Sequence, residues 1–368
     1  MEKKFAMQTK EILSICSQFD IACEATSVIP FGSGHINSTF LVTLENQDRY
    51  VLQNINTYVF KNPEQLMDNV FGVTSFVADT LKKQGIAPER RTLSFVKSKD
   101  GKKFYADKDG NAFRMYKCIE NATAYDSVEK EGVLFEAAAA FGEFQRQLGD
   151  YPAETLYETI PDFHNTVARY KSFEEAVALD AKGRAESVAE DIEALRKYAD
   201  RASIITSALD NGDIPIRVTH NDTKLNNVLI DNITGKGICV IDLDTVMPGS
   251  LLYDFGDSVR YAANNGAEDD MNLANVWLKL DLFKEFSDGF LVGIGDSITK
   301  KEKELLPLSV FVLTYELALR FMTDYLNGDV YFKTKYPDHN IVRTRAQIRL
   351  MEDIDEKLEE MKRIIDSI

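Results

Sequence analysis

The sequence predicts an α+β fold in two lobes, an N-terminal antiparallel-sheet lobe over residues 1–118 and a helical C-terminal lobe over 119–368. Three observations predict it. Up to about residue 116 the apolar residues fall in short β-branched and aromatic runs separated by Gly, Asn and Asp, the pattern of strands joined by tight turns. From Val128 onward they recur with helical period for most of the length, as amphipathic helices require. A polar hairpin interrupts that helical stretch, and the composition shifts at about 117–124.

Taken in order, residues 5–19 have helical period. Val28-Ile29-Pro30-Phe31 then leads into the glycine-bearing turn Gly32-Ser33-Gly34-His35-Ile36-Asn37-Ser38-Thr39 and a second strand, Phe40-Leu41-Val42-Thr43-Leu44. Asn46-Gln47-Asp48 turns the chain into Arg49-Tyr50-Val51-Leu52-Gln53. A helix is expected from Pro63 to Gln84, capped by Asn62 with proline at its first position. Strands near 92–97 and 102–107 are expected to pair about Lys99-Asp100-Gly101, followed by 112–120. Helices are expected over 128–149, 165–180 and 186–208, and again beyond the hairpin, including Phe255 to Ala263. The apolar segment Leu305 to Met322 contains Glu316 and Arg320, so it reads as a buried helix rather than a membrane span.

The totals narrow the function. With 44% hydrophobic residues, 368 residues can build two cores. A net charge of −16 argues against nucleic acid and anionic membranes as partners. It leaves room for a local positive pocket. Cys16, Cys23, Cys118 and Cys239 are scattered without CxxC pairing and read as reduced core residues. The four histidines form no metal-binding pattern; His164 and His339 have no visible partner, and Trp277 reads as packing on a helical face. Lys3 and Lys4 are followed by Gln8, Lys10 and Glu11, so no secretory apolar core forms. A soluble, cytoplasmic protein is expected, with its oligomeric state left open.

The hairpin carries the chemistry. Val218-Thr219-His220-Asn221-Asp222-Thr223-Lys224-Leu225-Asn226-Asn227-Val228-Leu229-Ile230 runs from a polar loop into a strand. Asp231 to Lys236 turns, and Ile238-Cys239-Val240-Ile241-Asp242-Leu243-Asp244 returns as a strand ending in two acids. Asp222, Asn227 and Asp242 then crowd one edge. Such a set suits phosphoryl transfer, in which one carboxylate orients a hydroxyl while an amide oxygen and a second carboxylate hold Mg²⁺ on nucleotide phosphates. The alternative is a polar turn whose Asp222 and Asn227 bond their own backbone.

A glycine turn in a β-rich lobe, followed by a helical lobe with H-x-D-x-x-x-x-N and a later Asp, resembles the protein-kinase-like fold. The version here resembles the aminoglycoside phosphotransferase superfamily of small-molecule kinases, lacking the Ala-Pro-Glu segment and long activation loop of protein kinases. Within it, Gly34-His35-Ile36-Asn37, Arg217 to Asn227, Ile241 to Ser250 and the tail Lys333-Thr334-Lys335-Tyr336-Pro337-Asp338-His339-Asn340 resemble the N-acetylhexosamine 1-kinases, over nearly the whole chain. That resemblance implies ATP-dependent phosphorylation of the anomeric hydroxyl of N-acetylglucosamine or N-acetylgalactosamine. It makes Asp222 the base and Asn227 and Asp242 the Mg²⁺ ligands, with Asp244 a helper. Gly32 and Gly34 would cover the phosphates, and the adenine would lie on backbone groups of Tyr116, Lys117, Cys118 and Ile119. His35, Asp222, Arg320 and Tyr331 would bind the sugar.

Each assignment has a plainer alternative. The glycine turn could be an ordinary hairpin, His35 could face solvent, Arg320 could pair with Glu316 four residues away, and Tyr331 could be core. Asp254-Phe255-Gly256 spells the protein-kinase metal motif, but it opens an apparent helix and reads as a helix N-cap or a brace for the catalytic loop. Where kinases end a strand in a phosphate-pairing Lys, this chain has Gln53, as the sugar 1-kinases do. The Lys–Glu ion pair is then impossible, and Glu64 and Asp68 read as surface acids. Lys224 could supply the missing charge or simply face solvent. The remaining alternatives are a kinase of the same fold acting on homoserine, choline or an aminoglycoside, and a catalytically dead nucleotide-binding protein.

Overall fold

The structure, a computed structural model, describes residues 9–32, 36–128 and 130–368. It divides into two units: one runs through Ala122 and regains Thr155–Ile160, and the other comprises Thr123–Glu154 and Pro161–Ile368.

The first unit is an antiparallel sheet with a helix on each face. Its helices are α1 (Thr9–Cys16) and α2 (Pro63–Lys83). Its strands are β1 (Ala25–Pro30), β2 (Ser38–Leu44), β3 (Arg49–Ile55), β4 (Phe95–Val96), β5 (Tyr105–Ala106) and β6 (Ala112–Lys117), and their order is β1-β2-β3-β6-β4 with β5 also on β6. Alternation along β3 and β6 sends Leu52, Phe113 and Met115 into the core with Ile12, Ile15 and Phe19 of the α1 segment, as a two-residue period demands. The opposite face carries Gln53 and Arg114, directly paired across the ladder, and lies against Met67 of α2. Asn62 caps α2 by accepting the Gln65 N–H. Buried Leu66, Met67, Val70, Val73, Val77 and Leu81 form its apolar stripe.

Two expectations need correction here. The segments near 92–97 and 102–107 shrink to two-residue strands that each pair with β6, not with each other. Between them the Ser98 N–H bonds the Lys102 carbonyl at 2.9 Å, and the Ser98 hydroxyl also bonds Asp100 Oδ1, so the chain closes a tight polar turn there and Ser98 bridges to Phe19. Asp68 is no simple surface acid, since its carboxylate pairs with the Lys103 ammonium.

In the second unit, reached through β7 (Ala122–Thr123), the helices are α3 (Val133–Gln147), α4 (Thr166–Leu179), α5 (Ala189–Arg196), α6 (Ile204–Asp210), α7 (Leu251–Ala262), α8 (Leu280–Ile294), α9 (Lys300–Asn327) and α10 (His339–Ser367). The axis of the unit is α9, opened by a Thr299–Glu302 capping box and packed against α4, α7 and α10. It is apolar and long enough to cross a membrane, but 78% of its apolar window is buried inside the protein, which makes it a core helix. Gly256 of α7 makes the α7–α9 contact possible, because a Cβ there would stand 2.5 Å from the Ser309 carbonyl oxygen.

The expected single helix over 186–208 is instead α5 and α6 separated by turns. No Gly or Pro breaks it. Tyr198 turns inward against Phe311 at 5.1 Å, and Arg201 pairs with Asp355 of α10 at 2.7 Å, so tertiary contacts override helix propensity. Trp277 lies on the loop before α8, not on a helix, under the Lys357 ammonium.

Candidate active site

The hairpin forms as two small ladders. β8 (Arg217–Thr219) pairs with β11 (Met247–Gly249), and β9 (Val228–Asp231) pairs with β10 (Gly237–Val240). Between β8 and β9 the chain must turn sharply, and Asn221 takes φ +63°, a region that Asn tolerates better than most side chains. Its amide nitrogen donates to the Thr245 carbonyl at 2.8 Å, and Thr245 Oγ1 donates to the His220 carbonyl at 2.6 Å. His220 is fully buried, edge-on to Phe141 and Phe144. Its Nε2 lies 2.9 Å from the Ile241 carbonyl, while Nδ1 receives the Asp222 N–H. A carbonyl only accepts, so this network assigns the neutral tautomer with the proton on Nε2.

Asp254 holds the loop from behind. It is the fourth residue of α7, whose N-cap is Ser250, so the N-cap expectation for Asp254 is wrong and the brace is what forms. Its carboxylate accepts the N–H groups of His220 at 2.9 Å and Asn221 at 2.8 Å, and the Gln145 amide at 2.8 Å. Burial pushes its carboxyl above the usual range, with the hydrogen bonds from these donors pulling the other way. Thr223 donates to the Asp254 carbonyl and Ser258 to the Thr223 carbonyl. Phe255 packs in an aromatic cluster with Phe283, Phe286 and Phe290, so the kinase-like tripeptide is a structural joint.

What the loop presents is Asp222. Its Oδ1 lies 2.6 Å from Lys224 Nζ, and its Oδ2 lies 3.2 Å from Asn227 Nδ2, which also donates to the Asp222 carbonyl at 2.7 Å. Burial alone would lower the Lys224 ammonium, but Asp222, with Asp257 and Asp242 further out, holds it above the ordinary lysine value. The Ile241 N–H bonds the Asn227 carbonyl at 2.9 Å, which sets Asp242 beside Asn227. Asp242 has φ +60° and is exposed, whereas Asp244 is buried. The amide oxygen of Asn227 and these carboxylates are hard oxygen donors of the kind that suits Mg²⁺. Among the described residues no group of three or more His, Cys, Asp and Glu makes an all-protein metal cage.

Further charged groups lie beyond Lys224. Asp257 of α7 is gripped by Arg260, whose Nη2 lies 2.7 Å from Oδ1. Burial alone would raise the Asp257 carboxyl, but Arg260, with His164 and Lys224 beyond it, holds it below the usual range. His164, expected to stand alone, bonds Glu316 Oε1 through Nδ1 at 2.8 Å, and Thr166 bonds Glu316 Oε2 at 2.7 Å. His339 likewise has a partner, Asp269, at 2.9 Å. Glu316 is thereby taken, and Arg320 forms no ion pair with it within 4.0 Å. Instead the Arg320 guanidinium lies over the rings of Phe163, Phe332 and Tyr331 at 5.7, 5.5 and 6.0 Å. Tyr331 is 69% exposed, so the core alternative is excluded. Asp324 fixes its loop by accepting the N–H groups of Val330, Tyr331 and Phe332 at 2.9, 2.8 and 3.0 Å.

In the first unit, Gln53 Nε2 donates to Thr39 Oγ1 at 3.2 Å and Oε1 accepts from Arg114 Nε at 2.9 Å. Arg114, buried and unforeseen, thus places a cation beside the neutral residue that replaces lysine. In the segment Tyr116 to Ile119, the N–H groups of Lys117 and Cys118 are already bonded to the Ser94 and Arg49 carbonyls. Gly32 has φ +76° with open space around it. Gly34 and His35 lie outside the described residues.

A profile of the phosphotransferase enzyme family matches residues 27–285, more than half of the chain. An aminoglycoside phosphotransferase from Alicyclobacillus acidocaldarius aligns with TM-score 0.62 and 13% identity over 96% of each chain. Spectinomycin phosphotransferase in complex with ADP and spectinomycin aligns with TM-score 0.56 and 14% identity, over 96% of this chain and 99% of that one. Amicoumacin kinase in complex with AMP-PNP, Ca²⁺ and Ami aligns with TM-score 0.57 and 15% identity, over 95% and 94%. The N-terminal antiparallel sheet and helical C-terminal region are those of this kinase-like fold.

Proposed function

Because the chain belongs to the phosphotransferase enzyme family, we propose that it is an ATP-dependent kinase that phosphorylates the anomeric 1-hydroxyl of an N-acetylhexosamine, N-acetylglucosamine or N-acetylgalactosamine, in the cytoplasm. The supporting observations, both in the second unit, are a tightly held Asp222 and an Arg320 that stands among aromatic rings and makes no ion pair within 4.0 Å among the described residues. A guanidinium left with its donors unused suits the hydroxyl and acetamido oxygens of a neutral sugar, and exposed Tyr331 offers a ring for the sugar's C–H face. Choline presents a quaternary ammonium and no anionic group, so such an arginine would repel it.

In this reading Asp222 orients the 1-hydroxyl and takes its proton as that oxygen attacks the γ-phosphorus. The new O–P bond forms as the β,γ-bridging P–O bond breaks and ADP leaves. Positioning contributes more to the rate than proton abstraction does. Asn227 and Asp242, with Asp244 behind them, would hold Mg²⁺, which when bound neutralises phosphate charge. Lys224 fixes Asp222 and offers its ammonium to the transferred group. In the first unit Gln53 keeps an amide hydrogen for a phosphate oxygen, with Arg114 supplying positive charge beside it. Gly32 and Gly34 would let backbone approach the phosphates, and His35 would bind a sugar hydroxyl. Of the donors at 116–119, the Ile119 N–H is the one left for adenine.

An ADP-release assay with ATP, Mg²⁺ and a panel of N-acetylglucosamine, N-acetylgalactosamine, glucosamine, homoserine, choline and an aminoglycoside tests this. Turnover is expected with the N-acetylhexosamines first. A preference for homoserine, choline or the aminoglycoside ends the sugar reading.

A further inference from the structure

Asp257 has so far no role. It lies on α7 one residue before Ser258 and three after Asp254, and both of those bond the catalytic loop at residues 220–223, so the turn of helix that carries Asp257 is the one laid against that loop. Arg260 uses a single oxygen of it: Nε at 3.1 Å and Nη2 at 2.7 Å both reach Oδ1. Oδ2 accepts no hydrogen bond from any described residue, and it is not sealed in the core, since the side chain is 19% exposed.

A carboxylate gripped at one oxygen and open at the other is oriented to accept from something outside the protein. On the side of Arg320, His164 shows the same incompleteness. Its Nδ1 is taken by Glu316, while Nε2 is buried and meets no described partner. Leaving such a group unpaired costs free energy that a bound partner would recover. Towards the hairpin stand Lys224 and Asp222, already joined to each other. The charged and titratable groups around Asp257 are therefore Arg260, itself paired with Glu268, and, further out, Lys224 and His164.

We propose that Asp257 binds the acceptor substrate directly, with Oδ2 accepting a hydrogen bond from a donor group close to the hydroxyl that is phosphorylated and Arg260 holding the carboxylate in place. The inference rests on the sugar reading for the identity of that donor: in an N-acetylhexosamine it is the 2-acetamido N–H or the 3-hydroxyl. Asp257 thus determines specificity for acceptors with two neighbouring polar groups and disfavours simple alcohols.

The test is a cycle of enzyme variants against substrate analogues. Wild type, Asp257→Asn and Asp257→Ala are assayed on N-acetylglucosamine, on its 3-deoxy analogue and on 2-deoxyglucose. Asparagine keeps the shape and the bond from Arg260 but offers an N–H where Oδ2 was, so it controls for misfolding. In wild type, removing the donor that Asp257 meets is expected to lower kcat/KM about 30-fold, the range for a hydrogen bond to a charged group. Both variants are expected to lose about as much on the parent sugar, mainly through KM, and to lose their discrimination against that one analogue. If both variants keep the wild-type preference for the parent sugar over each analogue, Asp257 acts only through the fold and the proposal falls. It falls equally if the variants match wild type on every acceptor. Should wild type use another alcohol of the panel and no N-acetylhexosamine, the sugar reading fails by itself; the same cycle on that alcohol and its analogues then judges Asp257.

Discussion

Asp254 and Asp324 do the same local job in different parts of the helical unit, each a buried helical carboxylate that gathers the N–H groups of a neighbouring loop. Asp254 takes His220 and Asn221; Asp324 takes Val330, Tyr331 and Phe332. The loops they hold are unlike. Around the first, His220, Asn221 and Thr223 are buried and spend their side chains on Ile241, Thr245 and Asp254, so Asp222 projects from a fixed frame. Around the second, Val330 and Tyr331 are 77% and 69% exposed. One device fixes a buried frame; the other holds a loop that stays exposed. With Asp222 and Tyr331 in the roles proposed for them, reaction and acceptor recognition could vary separately.

Mutations can break that contrast. Asp222→Asn should lower kcat on the order of 10³-fold or more while nucleotide binding, measured by titration calorimetry, persists. Asp254→Ala leaves two backbone donors buried without an acceptor, and the Gln145 amide with only the Val218 carbonyl. It should cost roughly 3 kcal/mol or more of stability in urea unfolding and lower kcat by about 10²-fold as the frame loosens. Asn340 of α10, whose amide reaches both Asp324 at 2.8 Å and Asp329 at 2.9 Å, braces the residues that hold the other loop. Its replacement by Ala should raise the sugar KM about tenfold and leave kcat within about twofold. A loss in kcat as large as that of Asp254→Ala would erase the distinction.

The smallest effect concerns pH. The hydrogen bonds from Lys335 and His339 hold the Asp269 carboxyl down to about 2. A carboxyl lowered in the folded state contributes stability above its unfolded value of 3.8, and that contribution is lost as pH falls through about 2. Asp269→Asn should therefore unfold at lower urea than wild type at pH 7, and the gap should close as the pH approaches 2. A gap that persists or widens in acid would show that the tail is not held by this charge.

Much of this was legible in the sequence because the signals were local. Asn62 before Pro63 announced α2, and β-branched runs around turn residues announced β1 to β3. The spacing from His220 through Asp222 to Asn227 brought the loop groups together, because a short hairpin allows few other arrangements. What stayed hidden depends on contacts distant in sequence. Asp254 reads as either a cap or a brace, and nothing local tells that Ser250 starts the helix one turn earlier and so decides for the brace. Thr155–Ile160 returns to the first unit because Asn69 bonds both the N–H and the carbonyl of Tyr157 at 2.8 Å, a pairing across 88 positions. Arg114 and Asp257 look like any strand arginine and helix aspartate until Gln53 and Arg260 are seen beside them.

The most direct measurement is the regiochemistry of the product. After incubation with ATP, Mg²⁺ and N-acetylglucosamine or N-acetylgalactosamine, ³¹P nuclear magnetic resonance should show a single new sugar phosphate whose phosphorus couples to the anomeric proton, and none with Asp222→Asn. Phosphate on the 6-hydroxyl, or no sugar phosphate beside rapid phosphorylation of another alcohol, would contradict the assignment of Asp222 and Arg320 to an anomeric acceptor.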